Sequence, residues 1–320
     1  QNSRKPAWKR SNLLTTTQAH AKHPKTKILE ARILTLMSLK QLEDLAKLSV
    51  VPAVGLAFNT LGLVYMEGWA NAQWYPPTPP AGKVALHLCA YNEEPWIPKA
   101  LETLNNQNIV LAYPEMFEKI VIDAGSTDRT AQIAVEYGWK VIQAPKGKLN
   151  ARDYAIRRTE AEIIVSLDAD CSYPQNSLNM LLQHFQNPEV VAVSGTAIYT
   201  DSIPLRLFSF WNELRLMFFP RIRGCLSSFR RQAYFQIGGF NLNINQYDLV
   251  EMIREEEYNF WRKLSTVGKC ILEPRAVAYT ITRRFWCAIV GRFKEKCDGT
   301  CEIPPEILRY CQEILAGERF

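Results

Sequence analysis

Apolar and polar positions along this chain fall into alternating blocks, and the sharpest block is 163–171 (IIVSLDADC). An apolar, β-branched run there stops at two carboxylates, Asp168 and Asp170, which reads as a buried strand ending in an acidic loop. Lys83 to Ala90 is a similar run, ending at Tyr91-Asn92-Glu93-Glu94 and followed by Ile97, Ala100, Leu101 and Leu104 at helical spacing. The unit then repeats. Lys119 to Ile122 predicts a strand, 123–128 (DAGSTD) a tight polar loop, and Arg129 to Tyr137 a helix closed by Gly138. Val141-Ile142 predicts a short strand, Asn150 to Arg158 a helix, Pro174 to Phe185 another helix, and Val190 to Ser194 a fifth strand. Alternating strands and helices with such loops predict an α/β fold built on a mostly parallel, Rossmann-type sheet flanked by helices.

After Gly195 the alternation breaks down. Ile203 to Arg223 is aromatic and basic, and its aromatic stripe reads as core in preference to an interfacial helix or acceptor-binding wall. Ser227 to Phe229 predicts a strand, Gln232 to Ile237 a helix, Glu251 to Val267 a longer helix stopped by Gly268, and Cys270 to Glu273 a last strand. The tail, 283–320, is basic and then helical from Pro304 to Ala316.

The N-terminal quarter has a different pattern. Residues 1–25 show no periodicity and read as an extended basic arm, while 26–47 reads as an amphipathic helix with a basic polar side. Leu48 to Met66 carries no charge over 19 residues, about 28 Å as a helix and close to a bilayer's hydrocarbon thickness. Pro52, Gly55 and Gly62 leave a hairpin or a buried core helix as alternatives. Membrane contact through 26–66 is the expectation. A single span places the domain that follows on the lumenal, Golgi-type side, and a hairpin or core helix leaves it on the cytoplasmic face. The proline-rich 73–80 marks a boundary near residue 80, giving a core domain over 81–282 with halves 81–200 and 201–282.

Composition sharpens one point. The net charge of +6 is a local feature, because residues 1–47 hold ten Lys/Arg against three Asp/Glu and the remainder is near neutral. A specific nucleic-acid site is therefore not expected; any contact by the arm would be salt-dependent and indifferent to sequence. The eight cysteines lack the density of a disulfide scaffold and read mostly as reduced thiols, with Cys287, Cys297, Cys301 and Cys311 as a weaker zinc or disulfide candidate.

Three acidic or small-residue loops fall at the carboxyl ends of successive strands, 90–94, 123–128 and 168–170, and in a doubly wound sheet they face one crevice. Asp123 there suits acceptance from a base or ribose, while Gly125 and Ser126 admit close backbone approach. Asp168 and Asp170 suit a divalent cation standing between them and a diphosphate. No dinucleotide Gly-x-Gly-x-x-Gly or P-loop motif is present.

Ala90-Tyr-Asn-Glu-Glu94, Asp123 to Thr130, Leu167-Asp-Ala-Asp170, Phe229-Arg-Arg231 with Gly238-Gly-Phe-Asn241, and Glu256-Glu257 before Lys263-Leu264 and Gly268 occur in one order. That order resembles family 2 glycosyltransferases of GT-A fold over residues 83 to 280. The resemblance implies metal-dependent, inverting transfer of a sugar from a nucleotide-diphosphate donor, UDP- or GDP-linked, to a hydroxyl of a glycan, lipid or protein acceptor. It implies Mn²⁺ or Mg²⁺ on Asp170, with Asp168 beside it at the ribose or donor sugar. Asp123 and Ser126 would hold the nucleoside, with Ala90 and Glu93 on the opposite wall. Glu257, next to Glu256, falls at the catalytic base. Lys148 and Arg152 are placed either on phosphate or on a solvated helix flank.

Four departures stand out: Ala124 where Asp-Asp is common, Glu256-Glu257 where Glu-Asp is commoner, no Gln-x-x-Arg-Trp motif, and no further apolar span after the catalytic region. The last two argue against processive polymer synthesis. The competing reading is a non-catalytic binding or structural protein that retains this fold.

Overall fold

The computed structural model describes residues 52–72, 74–201, 218–245 and 249–281 and, between them, Arg206, Ser209, Phe210, Glu213 and Leu216. The expectations for the arm, the 26–47 helix, Phe208, Trp211, Arg215 and the cysteine-bearing tail lie outside the described residues. The chain divides into compact units of residues 1–55 and 56–320, and the sheet belongs wholly to the second.

The sheet has seven strands: β1 (Val84–Ala90), β2 (Phe117–Asp123), β3 (Lys140–Gln143), β4 (Ile163–Asp168), β5 (Val190–Tyr199), β6 (Leu226–Arg230) and β7 (Lys269–Thr280). Their order is β3-β2-β1-β4-β6-β5-β7. All neighbours run parallel except at β6, which is antiparallel to both β4 and β5. The predicted mostly parallel sheet is thus observed, with one reversed strand inserted beside β4.

Both faces are covered, as the near-continuous apolar strands require. Leu86, Leu88, Val165 and Leu167 point into a core shared with α2 (Ile97–Asn105), α3 (Asn108–Ala112) and α6 (Ser177–Leu182). Ala85 and Ile164 point to the other side, against α5 (Lys148–Ile156), α7 (Arg231–Gln236) and α9 (Phe260–Leu264). Helix α4 (Thr130–Glu136) buries Ile133 and Ala134 against the first core. The helix leading into α9 begins as α8 (Leu249–Ile253) and passes through a π-helical turn, Arg254–Asn259.

Three boundaries differ from expectation for physical reasons. Helix α5 starts at Lys148 rather than Asn150, because Gly147, at φ 100°, turns the chain directly into it. Strand β5 runs through Gly195 to Tyr199; a Cβ on Gly195 would lie 2.7 Å from the Ala276 carbonyl, so glycine is there to let β7 approach. Strand β7 continues past Pro274, where the register against β5 shifts between the Ser194–Leu272 and Thr196–Val277 pairs and leaves the proline without a ladder bond to make.

The described part of the uncharged N-terminal segment, from Pro52, lies in one continuous helix, α1 (Pro52–Ala70), rather than a hairpin. Leu63, Met66 and Ala70 pack on Ile198 of β5 and Val277 of β7. None of the described helices is long and apolar enough to cross a membrane. The proline-rich stretch after α1 runs along α6, with Asn179 Oδ1 accepting from the Thr78 amide and Asn179 Nδ2 donating to the Pro76 carbonyl. Phe218 and Phe219 are exposed, against the core reading of the aromatic stripe, whereas Ser209, Glu213 and Leu216 are buried.

Candidate active site

The parallel register places the ends of β1, β2 and β4 side by side, with Ala90 opposite Asp123 and Cys89 opposite Asp168. The first two loops are laced into one wall. Asn92, at φ 52°, donates from its amide to Ser126 Oγ and accepts from the Thr127 amide. The Glu93 amide donates to Thr130 Oγ1, and the Glu94 amide to Asp128. Asp123 is buried and accepts from the Ser126 amide at 2.9 Å and from Gln143 Nε2 at 2.8 Å. This fixes the loop by an Asx-type turn, with Gly125 at φ 92° completing it. The loops that carry Ala90, Glu93, Asp123 and Ser126 are thus tied to one another, with Ala90, Glu93 and Asp123 buried.

The third loop carries the charge. Asp168 lies 3.0 Å from Lys148 Nζ and 2.9 Å from Arg152 Nη2. Both cations also contact Glu256, at 3.2 Å each, so two carboxylates and two cations close a ring. The solvated-flank reading of Lys148 and Arg152 is overturned: the Arg152 side chain is 2% exposed. Sequence alone could not show this, since the partner glutamate lies more than a hundred positions downstream. Arg152 Nη2 also donates to the Gly224 carbonyl at 2.8 Å. A Cβ on Gly224 would come within 2.8 Å of Glu256, so this glycine admits the carboxylate to the ring. Burial works against the Arg152 charge, but Glu256 and Asp168 outweigh it and hold its pKa above the ordinary arginine value.

Under the ring, Tyr173 OH accepts from the Asp168 amide at 3.0 Å and reaches the Cys225 carbonyl at 3.1 Å, tying the end of β4 to the start of β6. His87, buried on β1, has neither ring nitrogen hydrogen-bonded, and burial followed by the Arg152 charge pushes its pKa down to about 3. Cys89, Cys171, Cys225 and Cys270 are free thiols, as expected for reduced cysteines. A hydrogen bond with Cys225 and then burial raise the Cys171 pKa.

The π-helical turn sends three consecutive glutamates to three different places. Glu255 is held by Lys263 Nζ and the Asn241 amide, both at 2.8 Å; burial alone would raise its carboxyl pKa, and these bonds with that of Asn259 lower it. Glu256 points into the ring. Glu257, less buried, faces Arg221 Nε at 3.3 Å. Arg221 donates to Tyr258 OH at 2.7 Å, and the Ile222 amide donates to the Glu257 carbonyl at 3.1 Å. Arg223, buried beside Glu213, is a second cation whose charge Glu257 supports: burial lowers its pKa, and Glu213 and then Glu257 raise it above the ordinary value. Tyr199, at the end of β5, is pushed up to about 12, mainly by burial. Gly224 and Tyr173 beside the ring are missed by sequence reasoning, and Arg221 and Arg223 are set aside there in favour of core; the glycine two residues before β6 is the available signal. π-Turns inside α-helices recur at functional sites because they re-aim side chains.

Asp170 follows Asp168 at the same strand end and is half-buried, with Cys171 Sγ 3.7 Å from Oδ1. No group of three or more His, Cys, Asp or Glu side chains among the described residues would hold an ion on protein ligands alone. The donor set fits a cation that shares its ligands with a diphosphate, to which Asp170 contributes hard oxygen atoms.

A doubly wound sheet with acidic strand ends, one reversed strand beside the central pair and a glutamate-bearing helix across the crevice defines the GT-A class of nucleotide-sugar folds. Residues 86–243 match the model of Glycosyl transferase family 2. It is 24% identical over 185 residues to a poly-beta-1,6-N-acetyl-D-glucosamine synthase of Staphylococcus epidermidis, a match covering 56% of this chain and 42% of that one. To an N-acetylglucosaminyltransferase of Rhizobium leguminosarum bv. trifolii it is 29% identical over 153 residues, covering 45% of this chain and 80% of the relative. A mannosyltransferase of Pyrobaculum calidifontis, solved with GDP-Man and Mn²⁺, superposes with a TM-score of 0.52 at 21% identity over 83% of this chain and 78% of that one. The chain thus spans about two-fifths of the synthase it matches.

Proposed function

We propose that the chain is an inverting glycosyltransferase that moves a sugar from a nucleotide-diphosphate donor, UDP- or GDP-linked, to an acceptor hydroxyl. The observation that carries this reading is the division of labour between adjacent glutamates: Glu256 neutralises the cations that hold Asp168, and Glu257 stands at the less buried, acceptor side. Asp123, Ser126, Ala90 and Glu93 form the nucleoside wall. Asp168, oriented by Lys148 and Arg152, and the neighbouring Asp170 line the diphosphate and donor-sugar end. A divalent cation, Mn²⁺ or Mg²⁺ on Asp170, would neutralise charge building on the departing diphosphate.

Glu257 accepts the proton of the acceptor hydroxyl as that oxygen attacks the anomeric carbon from the face opposite the diphosphate. The new C–O bond forms as the bond to diphosphate breaks, and the leaving nucleoside diphosphate takes the electron pair. Arg221, 3.3 Å from Glu257, keeps the carboxylate in place. Relatives whose names include N-acetylglucosaminyltransferase and a neighbour solved with GDP-Man support a nucleotide-sugar donor and a glycan acceptor, and leave lipid and protein acceptors as further proposals.

The test is a screen of UDP- and GDP-sugars for release of free nucleotide diphosphate, with and without Mn²⁺ or Mg²⁺. Turnover with at least one donor is expected, and Asp170→Ala is expected to lower it by about 10² to 10³ or more. Binding of no nucleotide diphosphate under any condition would return the fold to the non-catalytic reading.

A further inference from the structure

Over Leu61–Ala70, helix α1 carries apolar side chains on two opposite faces, and only one of the two is buried. Residues Pro52 to Met66 include no charged side chain. Helical geometry separates two faces: Leu63, Met66 and Ala70 lie on the sheet, while Leu61, Val64, Tyr65 and Gly68 recur at i, i+3, i+4 and i+7 on the opposite side. Leu61 is 68% exposed, Val64 62% and Tyr65 53%, and a Cβ on Gly68 would meet nothing within 4 Å. A surface helix ordinarily carries charge on its outer side, and one apolar on both sides is ordinarily buried or in contact with lipid.

A second feature adjoins this face in the chain. Trp74 is 72% exposed, yet it is not loose: its ring sits 5.3 Å from that of Trp69 and 6.1 Å from that of Tyr75. Arg275 lies over the other partner ring, 5.4 Å from the Trp69 centroid, and Tyr75 OH donates to Gln183 at 2.9 Å. The cluster therefore holds an indole outward in one pose, and rigid, outward Trp and Tyr rings suit the headgroup level of a bilayer. The chain leading into the helix supplies complementary charge, ten Lys/Arg against three Asp/Glu over residues 1–47.

We propose that the outward face of α1, with Trp74 as its anchor, rests on an anionic lipid surface, lying along it rather than across it. Among the described residues no helix is long and apolar enough to cross a membrane, which is compatible with an interfacial position. An uncharged face argues for lipid tails and basic flanking sequence for anionic headgroups; a second copy of this chain would bring the same positive charge and repel. The inference does not depend on the catalytic reading.

Flotation of the full chain with phosphatidylcholine vesicles, with and without about a third phosphatidylglycerol, tests it at about 0.1 M and about 0.5 M salt. The wild type is expected to float with the anionic vesicles and to lose most binding in plain phosphatidylcholine or at high salt. Leu61→Glu with Val64→Glu should reduce binding at least about tenfold while the unfolding midpoint stays within about 2 °C. Trp74 emission should shift to the blue on vesicle binding in the wild type. Equal flotation of the double variant overturns the proposal, since the basic arm alone would then suffice. So does a wild-type dimer that the double variant breaks without loss of vesicle binding. A large fall in the variant's unfolding midpoint would show that the chain itself covers the face, and would overturn it as well.

Discussion

Glu256 and Glu257 are neighbours in sequence and occupy opposite kinds of surroundings. The Glu256 side is closed: Lys148, Arg152 and Asp168 complete a ring of alternating charge roofed by Gly224, in which Arg152 and Glu256 are almost without solvent. The Glu257 side is looser, with Arg221 at 3.3 Å and Tyr258 stacked beyond it. One acidic motif is therefore two devices. A carboxylate whose partners are fixed and buried organises charge; the more loosely paired and less buried one is the one proposed to take the acceptor's proton.

Removing the closed side should have the largest effect. Glu256→Ala strands Lys148, Arg152 and Asp168 with uneven charge in a buried ring, and should destabilise the fold by about 3 to 5 kcal/mol in urea titrations. Glu257→Ala should cost less than about 1 kcal/mol by the same measurement, because its pairing is looser.

Acid acts next, through His87 beneath Arg152. Its folded pKa of about 3 lies below the unfolded value near 6.5, so the folded state binds fewer protons between those limits. The neutral-imidazole contribution is therefore complete above pH 6.5 and is lost as pH falls toward 3, by roughly 1.4 kcal/mol per pH unit. His87→Leu should flatten that slope in unfolding measured at successive pH values; an unchanged slope would assign it to other groups.

Gly224→Ala puts a methyl against Glu256 and should cost about 1 to 3 kcal/mol, read as a lowered unfolding midpoint, without touching the Glu257 side. The smallest effect is expected at Arg221→Ala, about tenfold in kcat with donor KM unchanged and partial recovery in Arg221→Lys, because Arg221 acts only by holding Glu257.

Much of the fold and the donor wall is legible in the sequence because local pattern and function coincide at strand ends. The apolar runs before Ala90, Asp123 and Asp168 predict both the strands and the wall they build. Interruptions mislead: Gly195 and Pro274 read as strand ends, yet one admits a neighbouring backbone and the other sits where β7 shifts register. The charge ring is invisible for a different reason. Lys148 and Arg152 sit on a short helix that looks solvated, and their burial depends on a glutamate brought from the far side of the fold. No local pattern encodes that pairing. The α1 segment reads as uncharged and apolar, but nothing in its sequence shows that one of its faces lies on β5 and β7.

If Glu257 performs the proton transfer and Glu256 only holds charge, Glu257→Gln should separate donor binding from chemistry. The decisive measurement is calorimetry of nucleotide-diphosphate binding paired with single-turnover sugar transfer on that variant. Donor affinity is expected to stay within about twofold of wild type while transfer slows by about 10² to 10⁴. Collapse of donor affinity, or transfer at the wild-type rate, would contradict that division of roles.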